Sequence, residues 1–201
     1  SVSDRAGNQG TISGSFTIQN NAPLAVAGAA QNNVLLNTPV NLDGSASYDP
    51  DGDALIYQWS FVSKPAGSAA VLSSVNVAGP FFTPDLAGTY EIDLVVSDGK
   101  LSSIPSVVNI VTVAPLPTVT ISANPASVMQ GQAAMLTWSS TNAAGCNISP
   151  DVGNVATSGS VSVSPNSTTT YTITATGAGG TATSSVTVTV TVPQPPVVSI
   201  L

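Results

Sequence analysis

The sequence predicts an all-β chain made of small β-sandwiches set in series, and three observations carry that expectation. Apolar residues recur with a period of two, or run together rich in β-branched residues, in YEIDLVV (90–96), TYTITAT (170–176) and VTVTVTV (186–192), the spacing of strands with a buried face. Turn-rich clusters interrupt these runs at short intervals, and no window carries a helical apolar stripe. Two proline-rich stretches, APLPTV (114–119) and VPQPPVV (192–198), each follow a strongly alternating run. Proline fixes φ and favours extended backbone, so both read as short, semi-rigid joints.

These joints set the expected domains. Residues 1–20 read as the C-terminal strands of a preceding domain, with a turn at Arg5–Gly10. Residues 21–114 and 115–192 read as two whole sandwiches, and 193–201 as the start of another. The chain looks cut from a tandem array.

Composition narrows the chemistry. The 201 residues are 42% hydrophobic but only 6% charged, so Ser, Thr, Asn and Gly must supply the polar surface. Net charge is −7 with only 3 Lys and Arg, which leaves little to neutralise phosphates and argues against nucleic acid or anionic membranes as partners. Such a field attracts cations instead. No apolar stretch is long enough to span a bilayer. With no His, Ser-His-Asp and Cys-His arrangements are excluded within the chain. A single cysteine, Cys146, rules out an intramolecular disulfide.

In the first sandwich the expected strands are PLAVAG, TPVNLDGSAS, ALIYQWSF, VNVAG, GTYEIDLVVSD and PSVVNIVTV. Trp59 shares a strand face with Tyr57 and Phe61 by period two and should fill the core. Tyr90, at the start of a strand, stands where a tyrosine corner would fasten the loop below it. LDGSASYDPDGDALIYQWSF followed by GTYEIDLVVSDG resembles the polycystic-kidney-disease (PKD) domain. That resemblance implies an immunoglobulin-like sandwich of a kind that recurs in bacterial secreted and surface proteins.

The second sandwich has GQAAMLTWSS, GCNIS and TTTYTITATGAGG, and resembles an Ig-like repeat of bacterial extracellular proteins. Trp138 and Cys146 are expected in its core, the thiol acting as a small hydrophobe. Tyr171 repeats the expected tyrosine corner. Asp151 is the only carboxylate here, so paired acid–base chemistry is excluded.

The stretch YDPDGD puts Asp49, Asp51 and Asp53 on alternate positions. Their spacing is not that of an EF-hand, because Gly52 is fourth and Ser60 twelfth from Asp49. A glycosidase pair across a cleft does not fit one short tip loop. In an Ig-like topology, however, DPDGD and the SDG loop (97–99) share a pole with the start of the first strand. Asp49, Asp51, Asp53 and Asp98 can then converge with the oxygens of Asn20 and Asn21, hard ligands of the type that Ca²⁺ selects. The PKD resemblance is compatible with calcium at this junction. The alternative is a polar turn, its Asp side chains bonding nearby backbone. Asp43, in DGSAS, is expected to hold its own loop through backbone bonds.

The functional expectation is a non-catalytic spacer in a long extracellular bacterial surface protein, an adhesin, stalk or filament, stiffened at one pole by calcium. Its partners would be neighbouring Ig-like domains of the same chain, with terminal strands able to pair in trans. The alternative is an accessory polysaccharide- or protein-binding module of a secreted hydrolase. Against that stands an aromatic content of 5%, placed for cores rather than sugar-binding faces.

Overall fold

The computed structural model describes residues 2–3, 5–7, 9–10 and 19–192, and every regular element among them is a β-strand. β1 (Val2–Ser3) and β2 (Gln9–Gly10) pair antiparallel across a turn at Arg5–Ala6. The remainder of the expected strand ending at residue 18 and all of 193–201 lie outside the described residues. The chain divides into two compact units, Ser1–Asn32, Pro39–Thr83 and Thr89–Ile110 in one, Asn33–Thr38, Pro84–Gly88 and Val111–Leu201 in the other.

Six strands follow: β3 (Gln31–Leu35), β4 (Val40–Asn41), β5 (Ile56–Ser63), β6 (Phe81–Phe82), β7 (Gly88–Ser97) and β8 (Ser106–Val113). One sheet has the order β3-β8-β7-β5, and β4 pairs with β6. Along β7 the alternation read from the sequence puts Tyr90, Ile92, Leu94 and Val96 in the core, all fully buried. Each such side chain contributes roughly 1.5–3 kcal/mol through removal of apolar surface from water. Trp59 is fully buried, and its indole Nε1 donates to Val77 O at 2.9 Å, so its one polar atom is satisfied. Phe61 meets Phe82 edge-on with centroids 5.3 Å apart, and Phe82 lies 5.2 Å from Tyr90. The Tyr90 hydroxyl accepts from Ser68 Oγ at 3.3 Å, fastening the strand to the 65–70 loop.

Two expected strands in this unit are not strands. PLAVAG runs extended with alternate burial but makes a single bridge, Leu24 opposite Tyr48. Further along, hydroxyls replace a ladder: Ser47 Oγ accepts from Val26 N at 3.0 Å, and Ser106 Oγ from Ala27 N at 3.1 Å. VNVAG is an irregular cover over the edge of β5, where Val75 O accepts from Trp59 N at 2.9 Å and Asn76 Nδ2 donates to Tyr57 O at 3.1 Å. Conversely, β3 and β6 were not expected. β6 is only two residues long and sits just after Pro80, which hides its pattern. Gly44 packs where side chains leave no room: an added Cβ would stand 2.8 Å from Leu94 Cδ2 and 3.0 Å from Trp59 Cζ2.

The second unit takes in the ends of β3 and β8 and, from residue 115 onward, contains β9 (Thr118–Asn124), β10 (Ser127–Met129), β11 (Ala134–Thr141), β12 (Gly145–Ser149), β13 (Gly153–Val155), β14 (Ser158–Val163), β15 (Thr169–Gly177) and β16 (Gly180–Thr191). A three-stranded sheet β14-β11-β9 packs on a five-stranded sheet β10-β16-β15-β12-β13, in which β10 runs parallel to β16. Leu136 and Trp138 from one sheet meet Cys146, Ile148, Tyr171 and Ile173 from the other, as expected for Trp138 and Cys146. The Trp138 indole donates to Ala156 O at 2.9 Å. On the outer faces hydroxyl pairs take the place of ion pairs, with Thr170 Oγ1 2.8 Å from Thr187 Oγ1 and Thr172 Oγ1 2.8 Å from Ser185 Oγ. Such cross-strand pairs stabilise a sheet by a few tenths of a kcal/mol to about 1 kcal/mol each. Tyr171 departs from the corner expectation. Its ring is buried, but it lines a surface cavity beside Asp151 rather than tying down a loop.

Candidate functional site

The acidic pole of the first unit is assembled from two loops built alike. In the loop before β5, Asp49 Oδ1 accepts from Asp51 N at 2.7 Å and Asp53 N at 3.3 Å, around Gly52 at φ 84°. In the loop after β7, Asp98 Oδ1 accepts from Lys100 N and Leu101 N, both at 2.7 Å, around Gly99 at φ 87°. Each is a turn closed by an Asp side chain, with glycine supplying the left-handed residue that other side chains resist. To this extent DPDGD is the polar turn that local chemistry demands.

The loops also do what local chemistry does not require. Asn21 donates to Asp51 through its backbone N at 2.6 Å and its Nδ2 at 2.9 Å. Asn20 Nδ2 donates to Asp98 Oδ2 at 2.6 Å. All six residues proposed from the sequence, Asn20, Asn21, Asp49, Asp51, Asp53 and Asp98, therefore belong to one end of the unit. The side chains of Asn20, Asp53 and Asp98 join one network with Lys100, and those of Asn21 and Asp51 form a separate pair. Lys100 is the residue that sequence reasoning missed. Its Nζ lies 3.0 Å from Asp53 Oδ2 and 3.1 Å from Asn20 Oδ1. The signal was its place directly after SDG, as one of only 3 Lys and Arg in the chain.

The electrostatics follow from these contacts. Backbone donation from Leu101, then Asn20 and the Lys100 amide, hold the Asp98 carboxyl at about 2. The Asn21 backbone and side chain pull Asp51 below the ordinary carboxylate range. The hydrogen bond and charge of Asp53 push Lys100 up. One ammonium faces Asp49, Asp51, Asp53 and Asp98, so negative charge remains in excess. Asn20, Asp51, Asp53 and Lys100 border an open cavity of about 360 Å³. Asp49 Oδ2 is buried with no hydrogen-bond partner. Among the described residues no three acidic side chains close on a point as a ready metal centre, and the two asparagines turn their N–H groups, rather than oxygens, toward Asp51 and Asp98. Asp43 behaves as expected, its Oδ1 accepting from Ser45 N at 2.9 Å within its own loop.

Residues 27–113 match the family model described as K319L-like, PKD domain. A rat protein, Dyslexia-associated protein KIAA0319 homolog, is 36% identical over 100 residues, which cover 48% of this chain and 9% of that protein. The chain thus spans under a tenth of the length of this curated relative. Among solved structures, the PKD domain from KIAA 1837 protein is 28% identical, covering 50% of this chain and 93% of that one with a TM-score of 0.38. The titin domains z1z2, solved with telethonin, are 14% identical and cover 88% of this chain and 100% of that one at a TM-score of 0.49. The PKD family match lies within residues 21–114.

Proposed function

We propose that this chain is a non-catalytic spacer, a run of Ig-like modules within a long extracellular bacterial surface protein such as an adhesin, stalk or filament. PKD and Ig-like modules are generally non-catalytic. One observation carries the reading: the segment Asn20–Asn21, ahead of the strands of the first sandwich, is tied to both polar loops, Asn21 to Asp51 and Asn20 to Asp98 and Lys100. Such ties resist bending where a neighbouring domain of the same chain would join. Pulling single molecules of the 201-residue chain tests it. The first unit should unfold at lower force in the double variant Asn20→Ala, Asn21→Ala, and the second at unchanged force. Equal forces in both proteins would remove the spacer reading, and hydrolytic activity lost in Asp53→Asn would replace it with an enzyme.

A second reading rests on the buried, unpartnered Asp49 Oδ2 and the excess of carboxylates over ammonium. In it Ca²⁺ binds at this pole, held by oxygens of Asp49, Asp51, Asp53 and Asp98, with the side chains of Asn20 and Asn21 reoriented and Lys100 displaced. The ion would supply the counter-charge that one lysine leaves incomplete. A ligand bound only by the folded state stabilises it by about 2.7 kcal/mol at a hundredfold excess over Kd. Thermal unfolding in EDTA and in millimolar Ca²⁺, with Asp51→Asn and Asp98→Asn as controls, decides between the readings. Identical melting in both buffers leaves the pole as a hydrogen-bonded fastening.

A further inference from the structure

The second unit carries one charged side chain between residues 115 and 192, Asp151, and it borders the open side of an edge strand. Asp151 is exposed at φ 67° in the turn between β12 and β13. With Val152, Asn166 and Tyr171 it lines an open cavity of about 560 Å³ that runs along Val161–Ser167, the second half of β14 and the turn beyond. β14 pairs with β11 on one side and, among the described residues, with no strand on the other.

Open edges are normally blunted by charge, proline, shortness or a covering loop. β5 has the 75–77 cover, and β10 and β13 are three residues long. β14 has six residues, SGSVSV, with neither charge nor proline. β9, the other edge of the sheet that holds β14, is seven residues long and also has neither, so what distinguishes β14 is the carboxylate-bearing cavity beside it. An edge of this kind offers backbone donors and acceptors to an extended peptide, and an adjoining cavity receives one of its alternate side chains. Residues 115–192 supply no cation to balance Asp151. The wall is mainly polar, with Val152 and Val161 as its half-buried aliphatic side chains, and the carboxylate suits a cationic head. Burial and the Asp151 charge push the Tyr171 phenol up, so its hydroxyl stays protonated at neutral pH and leaves the carboxylate as the cavity's charge.

We propose that β14 and the Asp151 cavity form a docking site for an extended peptide strand that places a lysine or arginine side chain beside Asp151. The probe is an acetylated, amidated Thr-Val-Lys-Val-Thr peptide titrated into the isotopically labelled 201-residue chain and followed by amide NMR, with the Glu-for-Lys peptide as its counterpart. The lysine peptide should shift amides of 151–153, 158–164, 166 and 167 and bind about tenfold more weakly to Asp151→Asn, a loss of about 1.4 kcal/mol. Asn tolerates the left-handed backbone at this position, so the variant keeps the turn. The glutamate peptide should leave these amides in place. The proposal is overturned if shifts are absent or fall elsewhere, or if the glutamate peptide or Asp151→Asn binds equally well. Shifts at β14 that depend on protein concentration without peptide would replace it with pairing between copies of the chain.

Discussion

Asn20 Nδ2 donates to Asp98 Oδ2 at 2.6 Å, joining residues 78 positions apart. With the paired contacts of Asn21 on Asp51, it makes the leading segment part of the first unit rather than a free tether. Replacing Asn20 and Asn21 together by alanine should lower the melting temperature of the first unit and raise amide exchange at residues 20–24. Exchange within β11 and β15 should not change. Hydrogen exchange read by mass spectrometry checks both, and unaltered exchange at 20–24 would show that these bonds hold nothing.

Lys100 supplies the positive charge of the pole, so Lys100→Gln should have opposite consequences in two buffers. In EDTA the first unit should melt earlier, because the carboxylates lose their ammonium. In millimolar Ca²⁺ the deficit should shrink or reverse if the ion occupies the pole, since the cation no longer competes with a lysine. A deficit of equal size in both buffers assigns the counter-charge to Lys100 alone.

Acid should weaken the first unit through Asp98 and Asp51. The Asp98 carboxyl falls from 3.8 to about 2 on folding, and Asp51 is also lowered. A depressed folded value contributes stability above the unfolded value and loses it as pH falls toward the folded one. The loss should therefore appear between about pH 4 and pH 2. Tyr171 in the second unit is raised from 10.0 by burial and the Asp151 charge. Its contribution is complete below pH 10.0 and declines as pH rises through the folded value. Carboxyl NMR titration of Asp98, and melting monitored separately at Trp59 and Trp138 in single-tryptophan variants, check the two windows.

Core substitutions should separate packing from the polar pole. Trp59→Ala removes a fully buried indole and its bond to Val77 O, at a cost of about 3–5 kcal/mol. Gly44→Ala adds a methyl 2.8 Å from Leu94 Cδ2 and 3.0 Å from Ala78 O, an overpacking cost of about 1–3 kcal/mol. Denaturant melts measure both. A Gly44→Ala protein as stable as the parent would mean that Leu94 moves aside freely.

By itself the sequence determined what period-two patterning and turn chemistry can encode. Tyr90, Ile92, Leu94 and Val96 alternate into the core as read, Trp59 and Trp138 are buried, and the acids at 49–53 and 98 fall on turns. These are local properties, since a residue's neighbours two positions away fix its face and an Asp-Gly pair closes its own turn. The tertiary structure alone decided which groups face one another. PLAVAG has the pattern of a strand, but Ser47 and Ser106, 21 and 79 positions from the amides they accept, take the place of a ladder there. Lys100 reaches Asp53 across 47 positions and Asn20 across 80, a meeting set by where strands deliver their loops. The asparagine side chains were expected to offer oxygens to a cation, yet an amide turns whichever end its neighbours require. Beside Asp51 and Asp98, with carboxylate oxygens already in place, the favourable end is the N–H.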